Sequence, residues 1–506
     1  MMKLIKTIFS RAVITIFLIG VQFILFVLFW VFLSRYSNLV AVLLYLVSLI
    51  IVFYIIMNKD NQSYKIPWIV LVMLIPLLGG LLYLLFGTKR PKGKMIKRLE
   101  NEHERIKEYY KPNLKIQEEI AKQDLGRAGL FSYLQKICKY PAWGNTQTIY
   151  YPLGEIMYED MLAELNKAEK FIFLEYFIIE KGIMWDGIYE ILKAKAAQGI
   201  DVRVMYDDLG SLMLLPRNFP KELEAAGIKC LKFNPFVPLL SLAMNNRDHR
   251  KILVIDGKVA FNGGINIADE YINKRVVRGH WKDTGVKLLG PAVNGFTTMF
   301  LEMWNAFRRT EEDYSGFMVD HSSNDQAFPG YVLPFSDSPI DDESVGQNVY
   351  INILNQSKKY VYIFSPYLII DDEMKNALCL AAKRGVDVKL ITPGIGDKKI
   401  VHNTTRSYYP LLIESGVKIY EYTPGFCHAK SYVSDDEIGL VGTINMDFRS
   451  LYLHFECGTL MYKTQGVMDL KEDFLTTLEK CQEIEYNTFR RAYARNAVIR
   501  LLAPLM

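Results

Sequence analysis

The sequence predicts an α/β protein: two copies of one α/β domain share a single active site behind an N-terminal region of transmembrane helices. Three observations lead there. Three long uncharged stretches crowd the first 88 residues. A strand-and-helix pattern beginning near residue 146 recurs about 180 residues later. Each copy also carries a His-x-Lys frame followed at one fixed distance by an asparagine.

Of the 506 residues, 50% are hydrophobic and 23% charged, too apolar for a disordered chain and too charged for one lying wholly in lipid. The net charge of +5 is too small to argue nucleic-acid binding. Six cysteines without a C-x-x-C spacing exclude a disulfide scaffold or a zinc ribbon.

Segment 1–88 is expected to anchor the protein in the cell membrane. The stretches 12–33, 39–57 and 66–86 each approach the ~20 residues that cross a hydrocarbon core. Lys3, Lys6 and Arg11 before them favour the cytoplasm, and so does the cluster Lys89, Arg90, Lys92, Lys94, Lys97 and Arg98 after them. Both preferences are met only if one stretch fails to cross. The third carries Pro67, Pro76 and Gly79-Gly80, which suits a re-entrant segment, although the first stretch could equally lie in the interface. Two or three crossings stay open, with the catalytic part expected on the cytoplasmic face.

Segment 89–145 reads as a charged helical connector, its part from Glu100 to Lys122 a solvated stalk. The first α/β domain spans 146–310, with a helix around Met161 to Ala168, a buried strand at 171–179, a helix around Trp185 to Leu192 ended by Gly199, and a strand at 201–206. Segment 311–346 has nine acids and no lysine or arginine and reads as an inter-domain loop. The second domain covers 347–506. There YIFSPYLII at 362–370 matches FIFLEYFII at 171–179 in five of nine positions. Its tail at 489–502 is amphipathic and basic, suited to anionic lipid or to docking on the catalytic part.

The chemistry lies in the frames. His249, Lys251 and Asp256 recur as His428, Lys430 and Asp435, and Asn266 and Asn445 each follow their histidine by seventeen residues. Residues i and i+2 of a strand share a face, so each histidine and lysine are expected side by side. Asp256-Gly257 and Asp435-Asp436 read as hairpin turns that return the chain to bring the asparagine back. Imidazole suits nucleophilic or acid–base work, and ammonium and carboxamide suit phosphoryl oxygens. The frames lack the carboxylate pair or histidine cluster of a metal site, so no metal or other cofactor is implied. Asp256 and Asp435 belong to the frames, yet at a turn they suit a capping role as well.

These frames resemble the HKD motifs of the phospholipase D superfamily. Pro76 onward (PLLGGLLYLLFG), YDDLGS from Tyr206, GGINIADEY from Gly263, PGFCHAK from Pro424 and NMDFRS from Asn445 are similar to bacterial cardiolipin synthases. The resemblance covers roughly 430 residues and departs from the superfamily where Gly263-Gly264 and Gly442-Thr443 replace a commoner Gly-Ser. It implies two phospholipase D-like domains and transfer of a phosphatidyl group between two phosphatidylglycerols. The intermediate would be a phosphatidyl-histidine and the products cardiolipin and glycerol. It further implies His249 as nucleophile, His428 as acid and base, phosphate held by Lys251, Lys430, Asn266 and Asn445, and Glu456 and Asp283 orienting the histidines.

The expected partners are phosphatidylglycerol, cardiolipin and membrane lipids, with no nucleic acid. A membrane-anchored phosphodiesterase acting on phospholipid or nucleic acid would use the same frames; a non-enzymatic scaffold would leave both unexplained. Asp207 and Asp208 suit a strand-end cap or a head-group contact, while His280, His402 and His454 are expected to be structural.

Overall fold

The computed structural model describes residues 38–59, 61–87, 93–110, 113–236, 246–310, 312–321, 327–340 and 343–488, with residues 20, 24, 28, 499 and 500 singly. The hydrophobic stretch at 12–33 and the tail at 489–502 lie almost wholly outside the described residues.

Phe171–Tyr176 is buried along its whole length, as a strand covered on both faces must be. It pairs in parallel with Asp201–Asp207 and antiparallel with Lys251–Ile255. The crossover helix Ile183–Ala197 buries Met184, Trp185, Ile188 and Leu192, one helical stripe, and the chain leaves it through Gly199 at φ +85°. The seven-stranded sheet runs Gln147–Tyr151, Gly285–Leu289, Val259–Gly263, Lys251–Ile255, Phe171–Tyr176, Asp201–Asp207, Lys229–Phe233.

The second sheet repeats this order as Tyr331–Asp337, His454–Tyr462, Ile438–Gly442, Ser431–Ser434, Tyr360–Phe364, Asp387–Pro393 and Lys418–Tyr422, then adds Cys481–Glu483. Its further strand, Arg247–Asp248, comes from the first half and pairs with His454–Tyr462. One continuous core includes Phe173, Val254 and Val286 from the first sheet with Leu333, Val441 and Leu460 from the second.

Three expectations need correction. The match of 171–179 to 362–370 is two residues out of register. Ladder position equates Phe171 with Tyr360, since these residues stand opposite Asp201 and Asp387 in the parallel pairs. Aligned so, the nine positions share no identity. A slip of two preserves which side chains face which way, so apolar pattern alone could not detect it.

The acidic segment is not loop throughout. Tyr331–Asp337 is the edge strand of the second sheet, with Val332, Leu333 and Phe335 buried. Nor is the connector a solvated stalk. Its helices Gly93–Ile106, Leu114–Gln123 and Leu125–Ile137 bury Leu99, Ile106, Ile120, Leu130, Phe131 and Leu134 in the shared core.

At the N-terminal end, the second hydrophobic stretch is the helix Asn38–Met57, and the third is two helices, Gln62–Leu74 and Pro76–Leu82, broken at Ile75. The break folds tightly: a Cβ on Gly79 would lie 2.4 Å from the Leu71 carbonyl oxygen. Tyr64, Trp68, Val72 and Tyr83 pack with Ile55 into a small separate core. The Asn61 amide reaches the second α/β half, donating to Asp371 and to the Tyr452 hydroxyl. Among the described residues no helix is long and apolar enough to cross a membrane.

Candidate active site

Each histidine follows a short strand that belongs, by pairing, to the other half. Arg247–Asp248 runs parallel to His454-Phe455, and Gly425–Cys427 runs parallel to His280–Lys282. Each ladder continues one step further. The His249 N–H donates to the Phe455 carbonyl at 2.9 Å, and the His428 N–H donates to the Lys282 carbonyl at 2.7 Å.

Glu456 follows Phe455 and Asp283 follows Lys282, so the same ladders deliver an acid behind each ring. His249 Nδ1 lies 2.9 Å from both Glu456 carboxylate oxygens. His428 Nδ1 lies 2.6 Å from Asp283 Oδ2. The pairing is crossed: each half supplies the acid for the other half's histidine. Both acids are fully buried, and breaking one such pair leaves an uncompensated charge that costs about 3–5 kcal/mol.

Burial sets the electrostatics. It pulls His249 down to about 3 and His428 to about 4, with Glu456 and Asp283 opposing the fall. Burial thus favours the neutral form of both rings. Burial raises the two acids, but the histidines beside them, and Lys430 for Asp283, outweigh it and hold both below the usual carboxylate range. An ionised acid requires a donor, so the His249 Nδ1 carries the proton and its Nε2 keeps its lone pair.

Lys251 and Lys430 are also buried, which lowers them to about 7 and about 8. The Nζ of each donates to the carbonyl of its own histidine. Lys430 Nζ also lies 2.8 Å from His428 Nδ1. The charge of Lys430 acts on Lys251, and that of Lys251 on His428, so the two frames face one space. The His-x-Lys expectation holds in effect, although neither histidine lies within a regular strand.

The other expected residues divide. Asp256 and Asp435 sit on the hairpin turns at φ +55° and +56°, where aspartate tolerates the left-handed region. Asp256 accepts the backbone N–H groups of Glu169, Lys170 and Phe171 at 2.7–2.8 Å; Asp435 accepts those of Lys358, Lys359 and Tyr360 at 2.8–3.0 Å. Both carboxylates are committed to starting the neighbouring strand, the capping role that suits an aspartate at a turn. Asn266 is similarly engaged, its oxygen accepting from Ile178 N at 3.0 Å and its nitrogen donating to the Tyr271 hydroxyl at 2.8 Å. Asn445 differs, with a buried Oδ1 that has no hydrogen-bond partner among the described residues.

Asp207 caps the end of its strand, accepting from Leu209 and Gly210, and Asp208 accepts from Phe236 N. His280 bonds the Tyr422 hydroxyl at 3.0 Å. His454 stands beside the site, its ring 5.6 Å from that of His249.

The Gly-Ser departures also acquire reasons. A Cβ on Gly264 would lie 2.1 Å from Asp283 Oδ1, so a side chain there would displace the acid. The equivalent Thr443 donates its hydroxyl to Glu456 Oε2. Thr443 was missed as an orienting residue; its position directly after the frame's Gly442 was the available signal.

Comparison with known proteins agrees with this geometry. A family model described as "Cardiolipin synthase, PLD-like domain" matches residues 161–277 and 350–478, and a "Phospholipase_D-nuclease N-terminal" model matches 43–87. The cardiolipin synthase of Alkalihalophilus pseudofirmus is 34% identical, over 91% of this chain and 92% of that one. That of Geobacillus kaustophilus is also 34% identical, over 98% and 99%. In fold, the crystal structure of phosphatidylserine synthase from Haemophilus influenzae covers 74% of this chain and 99% of its own, at 14% identity and a TM-score of 0.55. The chain thus belongs to the bacterial cardiolipin synthase family, built on a duplicated phospholipase D-like α/β fold.

Proposed function

We propose that this phosphatidyltransferase joins two phosphatidylglycerols into cardiolipin and glycerol, with His249 as nucleophile and His428 as acid and base. The observation that carries the assignment of roles is the difference at the two Nδ1 atoms. Among the described residues His249 Nδ1 has only Glu456 as hydrogen-bond partner, which keeps the Nε2 lone pair available for attack. His428 Nδ1 is reached by both the Asp283 carboxylate and the Lys430 ammonium. Facing Asp283 it holds a proton and leaves Nε2 basic; accepting from Lys430 it leaves the proton on Nε2. That pair of states suits a ring that must first give a proton and then take one.

His249 Nε2 forms a bond to phosphorus, the bond from phosphorus to the glycerol oxygen breaks, and His428 protonates the departing glycerol. His428 then removes the proton from a hydroxyl of the second phosphatidylglycerol. That oxygen attacks phosphorus, and the phosphorus–nitrogen bond breaks, regenerating His249. Lys251, Lys430 and Asn445 hold the phosphoryl oxygens, and Glu456 and Asp283 orient the rings. Asn266 acts on the phosphate only indirectly, by holding the chain around Ile178. The reaction involves phospholipid and no nucleic acid.

The acceptor is a lipid, so the site must work beside a bilayer. Leu43, Leu46, Ile50, Phe53 and Met57 are each more than half exposed on the helix Asn38–Met57, an apolar surface suited to lipid. In this proposal segment 1–88 holds the protein at the membrane with the broken third segment re-entrant, and the α/β domains lie on the cytoplasmic face. As domains, 1–88 anchors, 89–145 buttresses the core, 146–310 and 347–506 carry the half-sites, and 311–346 joins them.

The test is purified full-length protein in detergent with labelled phosphatidylglycerol and no added metal. Cardiolipin and glycerol in equal amounts are expected. Phosphatidic acid without cardiolipin would refute transfer.

A further inference from the structure

The transfer scheme leaves one imidazole at the site unused. His454 precedes Glu456 by two residues on one strand, hence on the same face. Its side chain is only 10% exposed, and neither ring nitrogen has a hydrogen-bond partner among the described residues. Nδ1 lies 3.8 Å from Glu456 Oε1, too far for a hydrogen bond. Donor atoms of His249, His454 and Glu456 all fall within 4.8 Å of one another. A buried imidazole with neither nitrogen within hydrogen-bond distance of a partner carries a desolvation penalty, which the Glu456 carboxylate 3.8 Å away offsets only in part.

The other half-site shows that this is no requirement of the fold. Trp281 stands two residues before Asp283, its ring 5.5 Å from that of His428, and has no lone pair to offer. Two imidazoles and one carboxylate form the three-ligand set of an open zinc site, with a fourth position left for an exogenous oxygen. That set favours zinc-class ions over magnesium, which prefers oxygens and water.

We propose that His249, His454 and Glu456 form an inhibitory binding site for one divalent transition ion of the zinc class. Coordination through Nδ1 moves the His249 ring proton to Nε2, so the ring stays neutral, and leaves every oxidation state unchanged. Glu456 turns from hydrogen-bond acceptor to ligand, so His249 loses the arrangement that presents its Nε2 lone pair. With three protein ligands the ion is held reversibly, as a brake on turnover.

The test uses full-length protein in detergent, first stripped with chelator. Zinc binding is read by calorimetry without lipid, and cobalt(II) is substituted to read the visible absorption of a low-coordinate site. The parent is expected to bind one ion per chain. His454→Phe, which imitates the aromatic neighbour of the other half-site, should weaken zinc by at least about 100-fold, beyond what losing a ligand's hydrogen-bond partner costs. It should also abolish the cobalt band and the zinc inhibition of phosphatidylglycerol turnover. His402→Phe, away from the cluster, should change none of these. Thermal melting verifies that both variants fold. Equal zinc affinity in the parent and His454→Phe, or no ion bound to the parent, would overturn the proposal. Inhibition that persists in His454→Phe would overturn the brake. The binding arm contains no substrate, so its outcome is independent of the transfer reading.

Discussion

The two half-sites have the same histidine, lysine and acid in the same topology, yet different neighbours. Around His249 stand Glu456, the Thr443 hydroxyl that holds it, and His454. Around His428 stand Asp283, the bare Gly264, Trp281, and Lys430 close to the ring nitrogen. Duplication supplied the shared parts, and the differences fall on atoms that decide where a proton sits. One frame is arranged to keep its imidazole in one tautomer, the other to let it change.

The sharpest way to break the comparison is to remove one ring at a time. His249→Ala and His428→Ala should each lower turnover by at least about 10^4-fold. Only His428→Ala should accumulate an acid-labile phosphatidyl adduct, seen by mass spectrometry of the quenched protein. An adduct in His249→Ala instead would exchange the two roles.

Next come the acids, whose amides keep the shape but lose the charge. Glu456→Gln and Asp283→Asn should cost about 10^2- to 10^4-fold. In rapid-quench kinetics the first should slow adduct formation and the second its resolution as well. Equal effects on both steps in both variants would erase the distinction between half-sites.

A smaller effect concerns pH. Lys251, lowered by burial to about 7, loses its ammonium as pH rises, so kcat/KM should fall on the alkaline side. Lys251→Arg stays charged, and its alkaline limb should move up toward about 8, where Lys430 deprotonates. Thr443→Val removes one hydrogen bond to Glu456 and should cost about tenfold in kcat, roughly one hydrogen bond's worth, with KM little changed.

The smallest kinetic effect is expected at the turns. Asp256→Ala should leave kcat of the folded enzyme unchanged and lower stability by about 1–3 kcal/mol in urea titration. Asp435→Ala should lose more, because it also abandons the buried Arg127 guanidinium 3.4 Å away.

What could be read from the sequence was whatever is local. His249, Lys251, His428 and Lys430 were legible because frame spacing and chemistry coincide within a few residues. Which acid serves which histidine was not, because Glu456 lies nearer in sequence to His428 and reaches His249 only through interstrand pairing. The strand at Tyr331–Asp337 was concealed by acids on either side. The repeat itself was legible through the frames, while the apparent identity of its first strands was coincidence among buried residues of few kinds. His454 looked structural because no frame surrounds it; only the folded strand brings it beside His249.

Crossed pairing also bears on descent. Each half holds one histidine and one acid that cannot meet within that half, because the ladder delivering the acid belongs to its neighbour. Two identical halves related by a twofold axis would satisfy the same geometry with no new residue. The single chain thus holds the arrangement that a symmetric dimer would have, with halves that are no longer identical. Covalent linkage freed Thr443 and Gly264, or His454 and Trp281, to differ, which a homodimer encoded by one gene copy would forbid.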